Sequence, residues 1–432
     1  MSNLTALQRA LLLSCAAFIL GHPVLLRAQQ AVSAAPSFTF GSIVAAEAKT
    51  SAPAADLGTG VFSPFPFKVS ATVGSGYDDN VTTSKAFKQG SPFTNGNIGI
   101  TYAFGDSRLQ LSLDTGAGAT YYWDNISVPG VSVNDYDINT FVKFSLTYKS
   151  SPRLTLSMAD YLTYQTEPDF AIAQGLNRRG GNYFYTQDKF TANYLWSPRF
   201  ATATSYTLAG LQYDDSNVGF FSDRWENTFG NEFRFLLAPT STLVAEYRFQ
   251  IVTYDHLSRD SNTHFLLGGF DHSFDPRLNV SFRGGAEIRD YQGQGGGNRT
   301  SPYFEGTLNY VVGKQTTVSW INRYAIEEPD VLLSQSRETF RTGLSVKHDL
   351  TSRISGTLGA YYEHDAYQSV NQPGVFSPAF TEQSVDLSVT LRYAITRYLG
   401  VQVGYNFTDV SSDISSREYT RNRVWGAINA TF

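Results

Sequence analysis

From residue 66 onward the chain alternates apolar and polar positions with a period of two. Ile98, Ile100, Tyr102 and Phe104 alternate with Gly99, Thr101 and Ala103, and Leu109, Leu111 and Leu113 with Gln110, Ser112 and Asp114. The same beat returns in Val142, Phe144, Leu146 and Tyr148, and in Val385, Leu387, Val389 and Leu391. A period of two puts one set of side chains on one face of an extended strand and the other set on the opposite face. The segments run for roughly 10–14 residues, enough to cross a bilayer when tilted.

The punctuation between these segments comes in two lengths. Short polar turns fall at Gly105-Asp106-Ser107, Ser151-Pro152-Arg153, Ser197-Pro198-Arg199 and Ala238-Pro239-Thr240. Others follow at Asp275-Pro276-Arg277, Gly313-Lys314-Gln315, Thr351-Ser352-Arg353 and Thr396-Arg397. Nine longer segments of about 8–17 residues, richer in Gly, Asn and Asp, lie between them. Eight turns and nine loops predict eighteen strands, repeating as hairpins every 36 to 46 residues or so. Short turns on one side and long loops on the other describe a bacterial outer-membrane barrel with the turns in the periplasm. A soluble β-sandwich or propeller has no reason to sort loop length by parity. The expected fold is therefore all-β: a closed antiparallel transmembrane β-barrel of about 18 strands over residues 61–432. The final strand carries Val424, Ile428 and Phe432 on one face, and Phe432 resembles the terminal signal read by the barrel assembly machinery. Ala430 departs from the aromatic usual two residues earlier.

Composition agrees. Mean hydropathy is −0.22, so the apolar residues are dispersed. No run of 18 apolar residues follows residue 30, which removes transmembrane helices from consideration. Charged residues make up 16% of the chain, against roughly 25% in soluble domains. Residues 1–28 read as a secretory signal peptide: Arg9 is followed by an apolar core from Ala10 to Leu20, then Gly21 and Pro23, with cleavage expected after Ala28. Leu12-Leu13-Ser14-Cys15 resembles a lipoprotein box, but the apolar core runs on past Cys15. Residues 29–60, rich in Ala, Ser, Pro and Thr, are expected to be a flexible periplasmic leader. Loss of Arg9 and Arg27 would leave 31 of the 33 basic residues against 38 acidic ones, a net charge of −7, and no cysteine. Nothing in that balance points to nucleic acid.

Tyr and Asp mark the loop rim, in Tyr77-Asp78-Asp79-Asn80, Tyr122-Trp123-Asp124, Tyr213-Asp214-Asp215 and Tyr254-Asp255. The tyrosines are expected at the headgroups with the acids in water beyond. Glu167-Pro168-Asp169 and Glu328-Pro329-Asp330 repeat one another in two loops and are expected as solvated loop starts, a divalent-cation site being the sharper alternative. The predicted inward face carries Lys143, Lys189, Arg234, Arg248, Arg283, Arg289, Arg341, Lys347 and Arg392, with Glu232, Glu246, Glu287, Glu305, Glu363 and Asp386. Arg248, Arg283 and Arg341 fall near mid-strand, where a charged constriction would select ions. The alternative is that they pair with Glu246, Glu287 and Glu305 and merely solvate the wall. Inward Tyr185, Tyr361 and Trp425 could stack on sugar rings or pack the wall. Asp160 falls on the lipid face, which suggests a bulge or register shift. A catalytic reading finds no purchase: His264 and His272 are eight residues apart, and His256, His348 and His364 lack a Ser or carboxylate motif. No HExxH, CxxC or phosphate loop occurs, so neither a cofactor nor a metal is expected.

The opening strand, Gly74-Ser75-Gly76-Tyr77-Asp78-Asp79-Asn80-Val81, resembles the start of the second putative β-barrel porin family. The architectural likeness spans residues 61–432. It implies a passive channel, and for members beside exopolysaccharide export genes a route for a glycan. The expected surroundings are outer-membrane lipids and lipopolysaccharide, with the assembly machinery and periplasmic chaperones as folding partners. A homo-oligomer is open, as is a structural barrel with a blocked lumen.

Overall fold

The computed structural model describes residues 67–126, 135–170, 176–292, 297–332, 334–372, 375–377 and 379–432. The expected signal peptide and leader lie outside the described residues. Eighteen strands form one antiparallel sheet in which each pairs with its neighbours in sequence. The first, Phe67–Asp78, also pairs with the last, Tyr419–Thr431, in continuous register from Ser70↔Thr431 to Asp78↔Arg423. The sheet is thereby closed and has no free edge. A separate two-stranded hairpin, Val370–Gln372 with Val375–Ser377, sits in one loop, and a seven-residue helix, Ser216–Ser222, in another.

The short turns close by a shared device. Asp106 Oδ1 accepts from the backbone N–H of Arg108 and Leu109, both at 2.7 Å, and Asp275 does the same for Arg277 and Leu278. Ser151, Ser197, Thr351 and Thr396 use their hydroxyls likewise. A short polar side chain that satisfies two backbone donors makes a tight reversal cheap. Three register slips lie at this same end, at 195/197, 236/238 and 273/275. Each bulge turns an apolar residue outward: Trp196, Leu237 and Phe274. They join Phe104, Tyr148 and Tyr398 in an exposed aromatic and aliphatic belt of the kind found at a bilayer interface.

Outer-wall residues such as Val73, Ile98, Val403 and Ile428 are exposed, whereas their neighbours on the other face are small or polar. Three loops, at 255–260, 292–297 and 413–418, are shorter than expected from the sequence. The bulge expected at Asp160 is absent. Its strand, Leu154–Gln165, runs in unbroken register with both neighbours. Asp160 thus stands on the outer wall, with Asp188 its cross-strand partner and Thr186 donating to Asp188 at 3.1 Å.

Candidate functional site: the lumen and its inward loops

Alternation sends every second side chain into the barrel, and on one arc, from Arg224–Ala238 to Ile354–Tyr367, those side chains are ionic. Arg248 Nε donates to Glu246 Oε1 at 2.5 Å and its Nη2 to Glu305 Oε1 at 2.5 Å, while Tyr303 donates to Glu305 at 2.6 Å. Arg283 Nη1 lies 2.9 Å from Asp271 and its head 3.6 Å from both Glu232 and Glu246. Arg289 pairs with Glu328 at 2.5 Å and donates to the Ile326 carbonyl at 2.9 Å. Glu287 accepts from the Ile326 N–H at 2.7 Å. Arg341 donates through Nε to Glu363 at 2.8 Å and is 2% exposed. Arg248 thus pairs with Glu246 and Glu305 as the second sequence reading names them, whereas Arg283 pairs most closely with Asp271 and Arg341 with Glu363, neither of which that reading names as partner. Glu287 differs in detail, taking a backbone donor.

The opposite arc is different. Asp386 accepts from Thr408 at 2.7 Å, and Arg392 lies nearer the short turns, where the Asn429 amide oxygen accepts from it at 2.7 Å. A cavity of about 530 Å³ opens here, its lining including Asn95, Asn97, Asn139, Gln402, Asn406 and Trp425, together with Tyr361 and Asp386. Tyr185 takes no part in it: it is buried against Tyr161, Ala209 and Leu211. Phe432, at the far end of the seam, exchanges both backbone hydrogen bonds with Val69 and stacks on Tyr398.

The cavity's roof comes from a loop. The Glu-Pro-Asp loops fold inward and do not stand in solvent as expected. Glu167 accepts from Arg421 at 2.6 Å and from Tyr122 at 3.2 Å. Farther along the same loop, Asn177 donates to Glu363 at 3.0 Å, Arg178 pairs with Glu382 at 2.9 Å and Arg179 with Asp137. The loop that leaves the strand Leu154–Gln165 therefore reaches the wall at Ile354–Tyr367 and Phe380–Ala394. In the second loop, Glu328 accepts from Tyr254 at 2.7 Å, and Asp330 pairs with Arg417 at 2.9 Å and accepts from Tyr367 at 2.5 Å. Arg417 also pairs with Glu382 at 2.7 Å, so both loops hang on one carboxylate.

Electrostatics hold these acids ionised. Burial alone would raise the Glu167 and Asp330 carboxyls, but Arg421 for the one and Arg417 for the other outweigh it and keep both well below the usual carboxylate range. The rim tyrosines divide: Tyr77 is exposed, while Tyr122, Tyr213 and Tyr254 turn inward, Tyr122 and Tyr254 as hydrogen-bond donors and Tyr213 as acceptor from the Leu176 N–H. Asp78 is fully buried on Arg421, not in water. Sequence reasoning missed Arg178, Arg179, Arg417 and Arg421. The repeated Glu-Pro-Asp was the available signal, since two acids about a proline in a barrel loop need partners if the loop folds in.

Residues 199–432 match the model of the family described as Putative beta-barrel porin 2. No curated protein sequence matches the chain. Among solved structures, the chain is similar to OccAB4 of Acinetobacter baumannii, at 11% identity and a TM-score of 0.41, over 85% of this chain and 99% of that one. It is also similar to opdK of Pseudomonas aeruginosa, at 12% identity and a TM-score of 0.42, over 85% and 99%.

Proposed function

The chain belongs to the Putative beta-barrel porin 2 family and is an outer-membrane porin; from that premise we propose that it lets small hydrophilic solutes diffuse passively through a bore narrowed by its own loops. The observation that carries this reading is the pairing of a polar inner wall with an inward loop over a cavity of about 530 Å³. Polar side chains keep a lumen of this strand number hydrated, and an inward loop sets which solutes fit. Purified, heat-modifiable protein in a planar bilayer should give discrete conductance steps. Absence of current at every voltage would leave only a structural barrel with a closed lumen.

A second reading, passage of saccharide, is favoured by the cavity lining. Amide side chains offer donors and acceptors to hydroxyls, and Trp425 and Tyr361 offer aromatic surface to the apolar faces of sugar rings. Linear oligosaccharides should then interrupt the ion current, and Trp425→Ala should shorten the interruptions. No interruption at millimolar sugar would rule that reading out. We read the chain as a channel and not an enzyme: His264 and His272 face outward, each bound to one hydroxyl, of Tyr247 and Ser241. Residues 1–28 and 29–60 are proposed as signal peptide and leader, so the mature N-terminus should be Gln29. Phe432 is proposed as the handle for the assembly machinery.

A further inference from the structure

Of the inward bases that the ion pairs leave over, Lys143 sits at mid-strand over the Phe141 and Tyr161 rings, and a further group lies at one end. Lys68, at the start of the first strand, and Lys149, Lys347 and Arg392, in the last few residues before short turns, occupy inward register positions at that end. None has a carboxylate within ion-pair distance among the described residues, and Arg392 has only the neutral amide of Asn429. The turns beyond them are basic as well. Arg153, Arg199 and Arg277 end Ser-Pro-Arg or Asp-Pro-Arg turns, and Arg108, Arg353 and Arg397 stand in equivalent turns. Lys314 adds another, and all seven are exposed. Against these eleven bases stand Asp106, Asp275 and Asp349, and the first two already accept two backbone N–H groups each. The chain as a whole has a net charge of −5, so this end reverses the sign of the molecule.

Paired charges cancel a short distance away, whereas unpaired charges of one sign in a narrow mouth with low-dielectric walls set the local potential. Arg248, Arg283 and Arg341 are therefore poorly placed to select ions, and the basic mouth is well placed. We propose that the periplasmic mouth is an electropositive funnel that makes the channel prefer anions, and that its physiological solutes are small inorganic or organic anions. This rests on the channel reading above and names its substrate class.

Reversal potential in a KCl gradient tests it. The wild-type channel should pass Cl⁻ several-fold better than K⁺, and more so at about 0.05 M salt than at 1 M, where the screening length shrinks to about 3 Å. The triple variant Lys68→Gln/Lys347→Gln/Arg392→Gln should bring the ratio to one or below, with heat-modifiable mobility as the check on folding. Preference for K⁺ in the wild type, or an unchanged ratio in the folded variant, would overturn the proposal and leave the channel intact. No current at all would overturn the channel reading and this inference together. A variant that does not fold leaves the wild-type ratio and its salt dependence to decide.

Discussion

Glu363 accepts from Arg341 and from Asn177 of the inward loop, and lies 3.5 Å from Arg337. It is 3% exposed, so its two arginines have little water to fall back on. Removing one partner of a buried pair leaves an uncompensated charge and costs about 3–5 kcal/mol. Glu363→Gln should therefore lower stability by roughly that amount, as measured by urea unfolding in lipid vesicles; a loss under about 1 kcal/mol would mean that water already solvates Arg341. The alternation of apolar and polar residues told which face Arg341 takes. It did not tell that Glu363 stands opposite, because that depends on the cross-strand register Arg341↔Glu363, which the turn fixes and single-strand periodicity does not carry.

At the scale of elements, strands and turns were legible and the inward loops were not. A strand writes its face into every second residue, and a turn writes its reversal into one Ser, Thr or Asp. A loop that folds into a lumen is held by distant partners: Glu167 and Arg421 are separated by 254 residues. The loop's hold has a pH signature. Glu167 and Asp330 have carboxyl values depressed by their arginines, so the stability they lend is complete above the ordinary carboxylate value near 4 and is lost only as pH falls well below it. The hold of these two carboxylates on the loops should be flat from pH 8 to pH 4 and weaken only in stronger acid, read as the onset of larger conductance steps. Arg421→Gln should abolish that flatness by releasing Glu167 and Asp78, giving larger steps at neutral pH. A transition near pH 6 in the wild type would show that these pairs do not hold the loop. The outer wall offers a separate test at this scale. Asp160 and Asp188 face one another at mid-strand on the lipid side, where an acid costs somewhat less than the roughly 2–4 kcal/mol of a base. Asp160→Leu should stabilise the barrel in vesicles by about 1–2 kcal/mol, unless a partner covers that wall in the membrane, in which case it should destabilise.

For the whole molecule, closure is the step that makes the rest possible, because an open sheet would leave a row of unpaired backbone groups in lipid. The strand count and the meeting of first and last strands followed from loop parity in the sequence. The fit of the seam did not, since it turns on how near two backbones come. At Gly76 an added Cβ would lie 2.2 Å from the Val424 carbonyl oxygen and 2.7 Å from the Phe93 ring. Backbone cannot give way there without parting the first strand from the last, and Phe93 is held in a buried cluster with Val81, Tyr122 and Ile126. Gly96, on the neighbouring strand, has nothing within 4 Å of its would-be Cβ. Gly76→Val should therefore prevent closure, so that refolding into vesicles gives no heat-modifiable band, whereas Gly96→Ala should refold as the wild type does. Equal refolding of the two would mean that the seam tolerates separation, and a barrel closed by the first and last strands in this register would no longer account for the fold.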